Sequence, residues 1–217
     1  MTHAYAETYL NDGMKNLGEA FDYAVNACKL TLNGFAQLFV ASGYADKFGK
    51  GNPKTIAGLS GTELVMEVVQ KAGLNIDFPD AQIDYDCSPE YWCGWILAYY
   101  QWATAISFRD ILKNISMTEI YKLYSTHHEA AEDKFVDTVN AIIKRKNNPT
   151  KLQEQRKKCG YSQRELADMS GVNLRTLQQY ELGSKDINKA QAQTVMALAN
   201  ALGCKIEDLL EPNTTDE

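Results

Sequence analysis

Apolar residues recur along most of this chain three and four positions apart, the spacing of helices with one buried face. Between residues 6 and 28 the stripe is Leu10, Met14, Leu17, Phe21, Ala24, Val25 and Cys28, weakened by Gly13 and Gly18. Leu32, Phe35, Ala36 and Phe39 carry a second helical face to Ser42-Gly43. Residues 44–61 break the rhythm: they are Gly-rich, Asn52-Pro53 opposes regular helix, and only a short turn at 45–48 fits. From a cap at Ser60 or Thr62, a further helix carries Leu64, Val65, Val68, Val69 and Ala72 on one side and stops at Gly73. Residues 75–87 are acidic and irregular, with room for at most a short strand at 81–85.

Ser88-Pro89-Glu90 combines a cap, a proline at the first helical position and a carboxylate beside it, a strong helix start. The helix it opens holds Trp92, Trp95, Ile96, Tyr99, Trp102, Ala103 and Ile106, including all three Trp of the chain. The stripe predicts the core helix of an N-terminal domain, or else an aromatic pocket or interface. A short helix follows at 108–115. Ser116 or Thr118 then caps a single long helix over 119–146, with Ile120, Leu123, Tyr124, His127, Ala131, Phe135, Val139 and Ile142 on one stripe. Lys144-Arg145-Lys146 end it, and Asn147-Asn148-Pro149 breaks the chain. The expected division is a helical domain at 1–146, a linker at 147–149, a second helical domain at 150–211 and a tail at 212–217.

The second domain has tighter punctuation. Thr150 caps a helix at 152–158, which Cys159-Gly160 closes. Ser162 caps the next, with Glu165 three residues on in the spacing of a capping box. Ser170-Gly171 makes a tight turn, Asn173 caps a helix at 174–180 whose apolar side is Leu177 and Tyr180, and Gly183 closes it. Helix, tight glycine turn, helix is the pattern of a DNA-reading motif.

These residues resemble the Cro/CI-type (XRE) helix-turn-helix family. The resemblance runs through Ser162-Gln163, Leu166-Ala167, Gly171-Val172, Thr176-Leu177, Tyr180-Glu181, Gly183, Leu198-Ala199, Ala201-Leu202-Gly203 and the run Ile206 to Leu210. It implies a five-helix, lambda-repressor-like DNA-binding domain. The chain departs from the family in lacking a proline near Asn188, which leaves Asn188 as the cap of the fourth helix. In such repressors the helix after the turn enters the major groove. By that resemblance Arg175 meets guanine O6 and N7, and Gln179 meets adenine N6 and N7, with Gln178 nearby. Leu174 meets a thymine methyl or packs. Gln163 matches the family's phosphate-contact glutamine, and Asn173, Thr176 and Lys185 are further candidates for phosphate oxygens. Glu181 is read as structural, holding the helix end. Segments of the first domain are also similar to an N-terminal helical domain of poorly characterised bacterial helix-turn-helix proteins, which assigns no chemistry.

The net charge of -6 over 217 residues argues, taken alone, against a nucleic-acid binder. The charge is unevenly placed: roughly 18 acidic against 10 basic side chains up to Ile143, then 8 against 12 from Lys144 to Glu211. The C-terminal domain is therefore mildly basic, and its non-specific affinity modest and salt-sensitive. The five Cys fit no zinc ribbon and no C-x-x-C pair. His128 and Glu132 supply only one pair at metal-ligand spacing. Lys50-Gly51-Asn52-Pro53-Lys54 lacks the spacing of a phosphate loop. No cofactor, metal or catalytic constellation is expected, and no membrane span; the protein reads as cytoplasmic.

The reading is an all-α, two-domain, sequence-specific DNA-binding transcriptional regulator, a repressor acting on double-stranded DNA as a homodimer. Its N-terminal bundle-like domain would dimerise, sense a small-molecule effector or bind a protein partner. The alternative is an antitoxin-like protein whose N-terminal domain neutralises a partner while the helix-turn-helix represses its own operon.

Overall fold

The computed structural model describes residues 3–80 and 87–212; they are helix and turn, with no strand among them. The short strand allowed at 81–85 lies outside the described residues. The chain forms two compact units, Met1–Ala141 and Ile142–Glu217.

In the first unit α1 (Leu10–Asp22) follows a 3-10 turn at Glu7–Tyr9 and loosens into a π turn at Tyr23–Ala27. Met14, Leu17 and Phe21 of its stripe are buried. α2 (Leu32–Ala41) starts at Thr31, whose hydroxyl accepts from the Gly34 amide. α3 (Tyr44–Gly49) and α4 (Pro53–Ile56) occupy the Gly-rich segment. Here the expectation that Asn52-Pro53 excludes helix is corrected. Asn52 caps α4 by accepting from the Lys54 amide, and Pro53 takes the first position, where a missing N–H costs no bond. α5 (Gly61–Lys71) opens on a capping box between Ser60 and Glu63.

α6 (Pro89–Thr104) packs on α1 at Gly94, where an added Cβ would lie 2.3 Å from the Leu17 carbonyl oxygen and 2.8 Å from the Phe21 ring. The missing side chain is what lets the two backbones approach so closely. The aromatic stripe captures only part of this helix. Trp92 and Trp102 are buried, but Trp95 and Tyr99 are half-buried and Ile106 is exposed. Cys93, Leu97, Ala98 and Tyr100 are buried as well, so α6 is enclosed on several sides and acts as the core helix. Burial pushes the Cys93 thiol up to about 12, an inert apolar filler. α7 (Phe108–Asn114) adds Phe108, whose ring meets Phe39 at 5.3 Å and Phe48 at 5.8 Å, edge to face.

The single long helix expected over 119–146 is two helices, α8 (Met117–His127) and α9 (Glu132–Asn147). Trp92 explains the break. Its ring takes Tyr124 at 5.5 Å and Phe135 at 5.6 Å. In a straight helix those two residues would stand about 16 Å apart. The chain turns at residues 128–131 so that both rings reach one indole, and His127 Nε2 then meets Thr138 Oγ1 at 3.0 Å. His127 is thus a packed histidine, its ring edge-on to Phe135 at 6.3 Å.

The boundary between the units falls within α9. The second unit holds α10 (Lys151–Lys158), α11 (Gln163–Ser170), α12 (Leu174–Glu181) and α13 (Ala192–Leu202). Its core joins Leu152, Leu166, Leu177, Tyr180, Val195 and Leu198. The expected cap at Asn188 is corrected: the N-cap of α13 is Gln191, which makes no side-chain capping bond. Asn188 sits in a 3-10 turn, Ile187–Lys189, and clasps Glu211 instead, accepting from its amide and donating to its carbonyl, both at 2.9 Å. The last element of the domain is a single 3-10 turn, Ile206–Asp208.

Candidate nucleic-acid interface

The turn between α11 and α12 is set by three short-range devices. Ser162 and Glu165 form the reciprocal box that starts α11, and Glu165 is held below the usual carboxylate range, first by the Ser162 amide and then by its hydroxyl. Gly171 ends α11 at φ +69°, a conformation that side chains with a Cβ rarely adopt. Asn173 accepts the Arg175 amide at 2.9 Å and starts α12. Leu166, Ala167, Leu177 and Tyr180 bury the inner faces of both helices, as their spacing predicts.

The opposite side carries the candidate residues. Arg175 is exposed on the first turn of α12, beside exposed Asn173. Thr176, Gln178 and Gln179 are half-buried on the same helix. Leu174 is half-buried too and packs against the core, so packing is its observed role. Lys185 is exposed beyond the end of α12; its ammonium lies 5.3 Å from the Tyr180 ring centroid and its amide bonds the Gln179 carbonyl at 3.1 Å.

Gln163 is tied to the other helices. Its Nε2 donates to Glu181 Oε2 at 2.8 Å, and its Oε1 accepts from Gln178 Nε2 at 3.4 Å. Glu181 is buried and is gripped by Arg156, Nε to Oε1 at 2.6 Å and Nη2 to Oε2 at 3.0 Å. Arg156 Nη1 also donates to the Tyr161 carbonyl at 2.6 Å. The structural role read for Glu181 is what the geometry displays. The residue that sequence reasoning missed is Arg156. A signal existed: it stands four positions after Leu152, on the buried face of α10, and a cation there requires a buried carboxylate. Because Gln163 spends one N–H on Glu181, only its second is left to donate outward, which suits an acceptor-only group such as phosphate oxygen.

Residues 152–209 match the model of the family described as Helix-turn-helix. The C-terminal unit carries a Cro/CI-type (XRE) helix-turn-helix domain. No curated protein and no solved structure matches the chain. Helix-turn-helix domains of this type belong to DNA-binding regulators, a family that is generally non-enzymatic. The helix-turn-helix match does not extend into the first unit. Among the described residues no group of three or more His, Cys, Asp or Glu is placed to hold a metal ion, and no helix is long and apolar enough to cross a membrane.

Proposed function

We propose that this protein is a sequence-specific transcriptional regulator that represses by occupying its operator as a homodimer. α12 lies in the major groove, with Arg175 on guanine O6 and N7 and Gln179 on adenine N6 and N7. Gln178 steadies Gln163 through its 3.4 Å bond, and Gln163, Asn173, Thr176 and Lys185 hold phosphate oxygens. Leu174 packs at the groove edge. The observation that carries this reading is the exposed Arg175 at the capped start of α12, within a domain whose family reads DNA. One small module offers little contact area, so paired half-sites about one helical turn apart are expected. Residues 1–146 supply dimerisation or the binding of an effector.

The test is selection of bound duplexes from random pools, repeated with Arg175→Ala and Gln179→Ala. Each variant is expected to lose discrimination at particular base pairs, by about 1–3 kcal/mol. A base preference left intact by both substitutions would sink the assignment. A second reading, an antitoxin-like neutraliser, draws support from the acidic excess of the first 143 residues, which suits a basic partner. A basic protein co-purifying with the full chain and released by salt would favour it.

A further inference from the structure

A concave site in the first unit lies outside the residues that match the helix-turn-helix family. Between α2 and α7 lies a groove of about 490 Å³, in the size range of small-ligand sites. Ala36, Val40 and Leu112 give it an apolar wall. Arg109 and Lys113, one turn apart on α7, line it side by side. Both are exposed, and neither forms an ion pair among the described residues. No Asp or Glu lines the groove, in a part of the chain where acidic side chains outnumber basic ones by roughly 18 to 10. The carboxylates nearest in sequence are engaged at helix starts: Asp110 accepts from the Ser107 hydroxyl at 2.7 Å, and Glu119 from the Ser116 amide at 3.0 Å. Asn33, at the groove's edge, is also committed; it donates to Thr118 Oγ1 and accepts from the Met117 amide.

We propose that this groove binds an amphipathic carboxylate. Its apolar body, of acyl-chain or aromatic type, lies on Ala36, Val40 and Leu112, and its anionic head is held by Arg109 and Lys113. The planar Arg109 fork suits two parallel bonds to a carboxylate, and Lys113 adds a point charge. A bare inorganic anion would leave the apolar wall wet, and a neutral apolar molecule would leave both cations without a counter-charge. The site therefore selects for the two properties together.

The test titrates the isotope-labelled full chain with octanoate, its neutral analogue octanamide, and acetate, followed by amide NMR shifts. Octanoate is expected to saturate, with shifts centred on α2 and α7. Octanamide and acetate should bind about tenfold more weakly or worse. The double variant Arg109→Gln, Lys113→Gln should bring octanoate down to the level of octanamide. Both side chains are exposed, so the variant should keep its helical circular dichroism; Lys113→Gln alone should give a partial loss. Equal binding of octanoate and octanamide, shifts confined to other helices, or an affinity untouched by the double variant would each overturn the proposal. Because these shifts are read in the first unit, their absence is distinguishable from a failure of DNA selection.

Discussion

Arg156 and Glu181 are the only charged side chains buried among the described residues, and they are buried against each other. Removing one leaves the other a lone charge out of water. Arg156→Ala or Glu181→Ala should therefore lower the stability of the C-terminal unit by about 3–5 kcal/mol, read by denaturant unfolding. Joint replacement by apolar residues of similar volume should cost far less. Gln163→Ala removes both a bond to that carboxylate and the proposed phosphate contact. It should weaken binding to all DNA sequences alike while leaving base preference in place, as competition between operator and random duplex would measure. None of these residues announces its partner in the sequence. Caps are local and were legible: Thr150, Ser162 and Asn173 each bond an amide two or three positions on. Arg156 and Glu181 lie 25 positions apart and meet only through the fold.

At the scale of elements, the α1–α6 contact rests on an absent side chain. Gly94→Ala would drive a methyl into the Leu17 carbonyl and the Phe21 ring. Overpacking of this kind should cost at least about 1–3 kcal/mol, visible as a lowered Tm of the full chain. The capping box of α11 predicts a pH effect with a definite sign. Glu165 has its folded value depressed below its ordinary 4.5, so its contribution is complete above that value and is lost as pH falls through the depressed one. The stability difference between wild type and Glu165→Gln should shrink as pH drops below the carboxylate range. The helical period located most elements here but not the α8–α9 break. The stripe from Ile120 to Ile142 is continuous in sequence, and the reason to fold it back is a distant indole, Trp92. Likewise Asn52-Pro53 reads equally as a breaker and as a helix start; which one applies depends on the side chains α4 must bury, Thr55 and Ile56.

For the whole molecule, the acidic excess lies in the first two thirds of the chain and the basic excess in the C-terminal third. Affinity for DNA should fall steeply with added salt, and Lys185→Ala should reduce the slope of log affinity against log salt by about one. A slope unchanged by that substitution would remove Lys185 from the proposed backbone contacts. The chain of bonds from Arg156 through Glu181 and Gln163 to Gln178 reaches across α10, α11 and α12. Its members are not free to drift singly over generations. If Arg175 and Gln179 read bases as proposed, a new operator would be reached most easily among descendants of this domain by changes at these two, which stand outside the chain, while the four linked positions should be inherited as a block or replaced together.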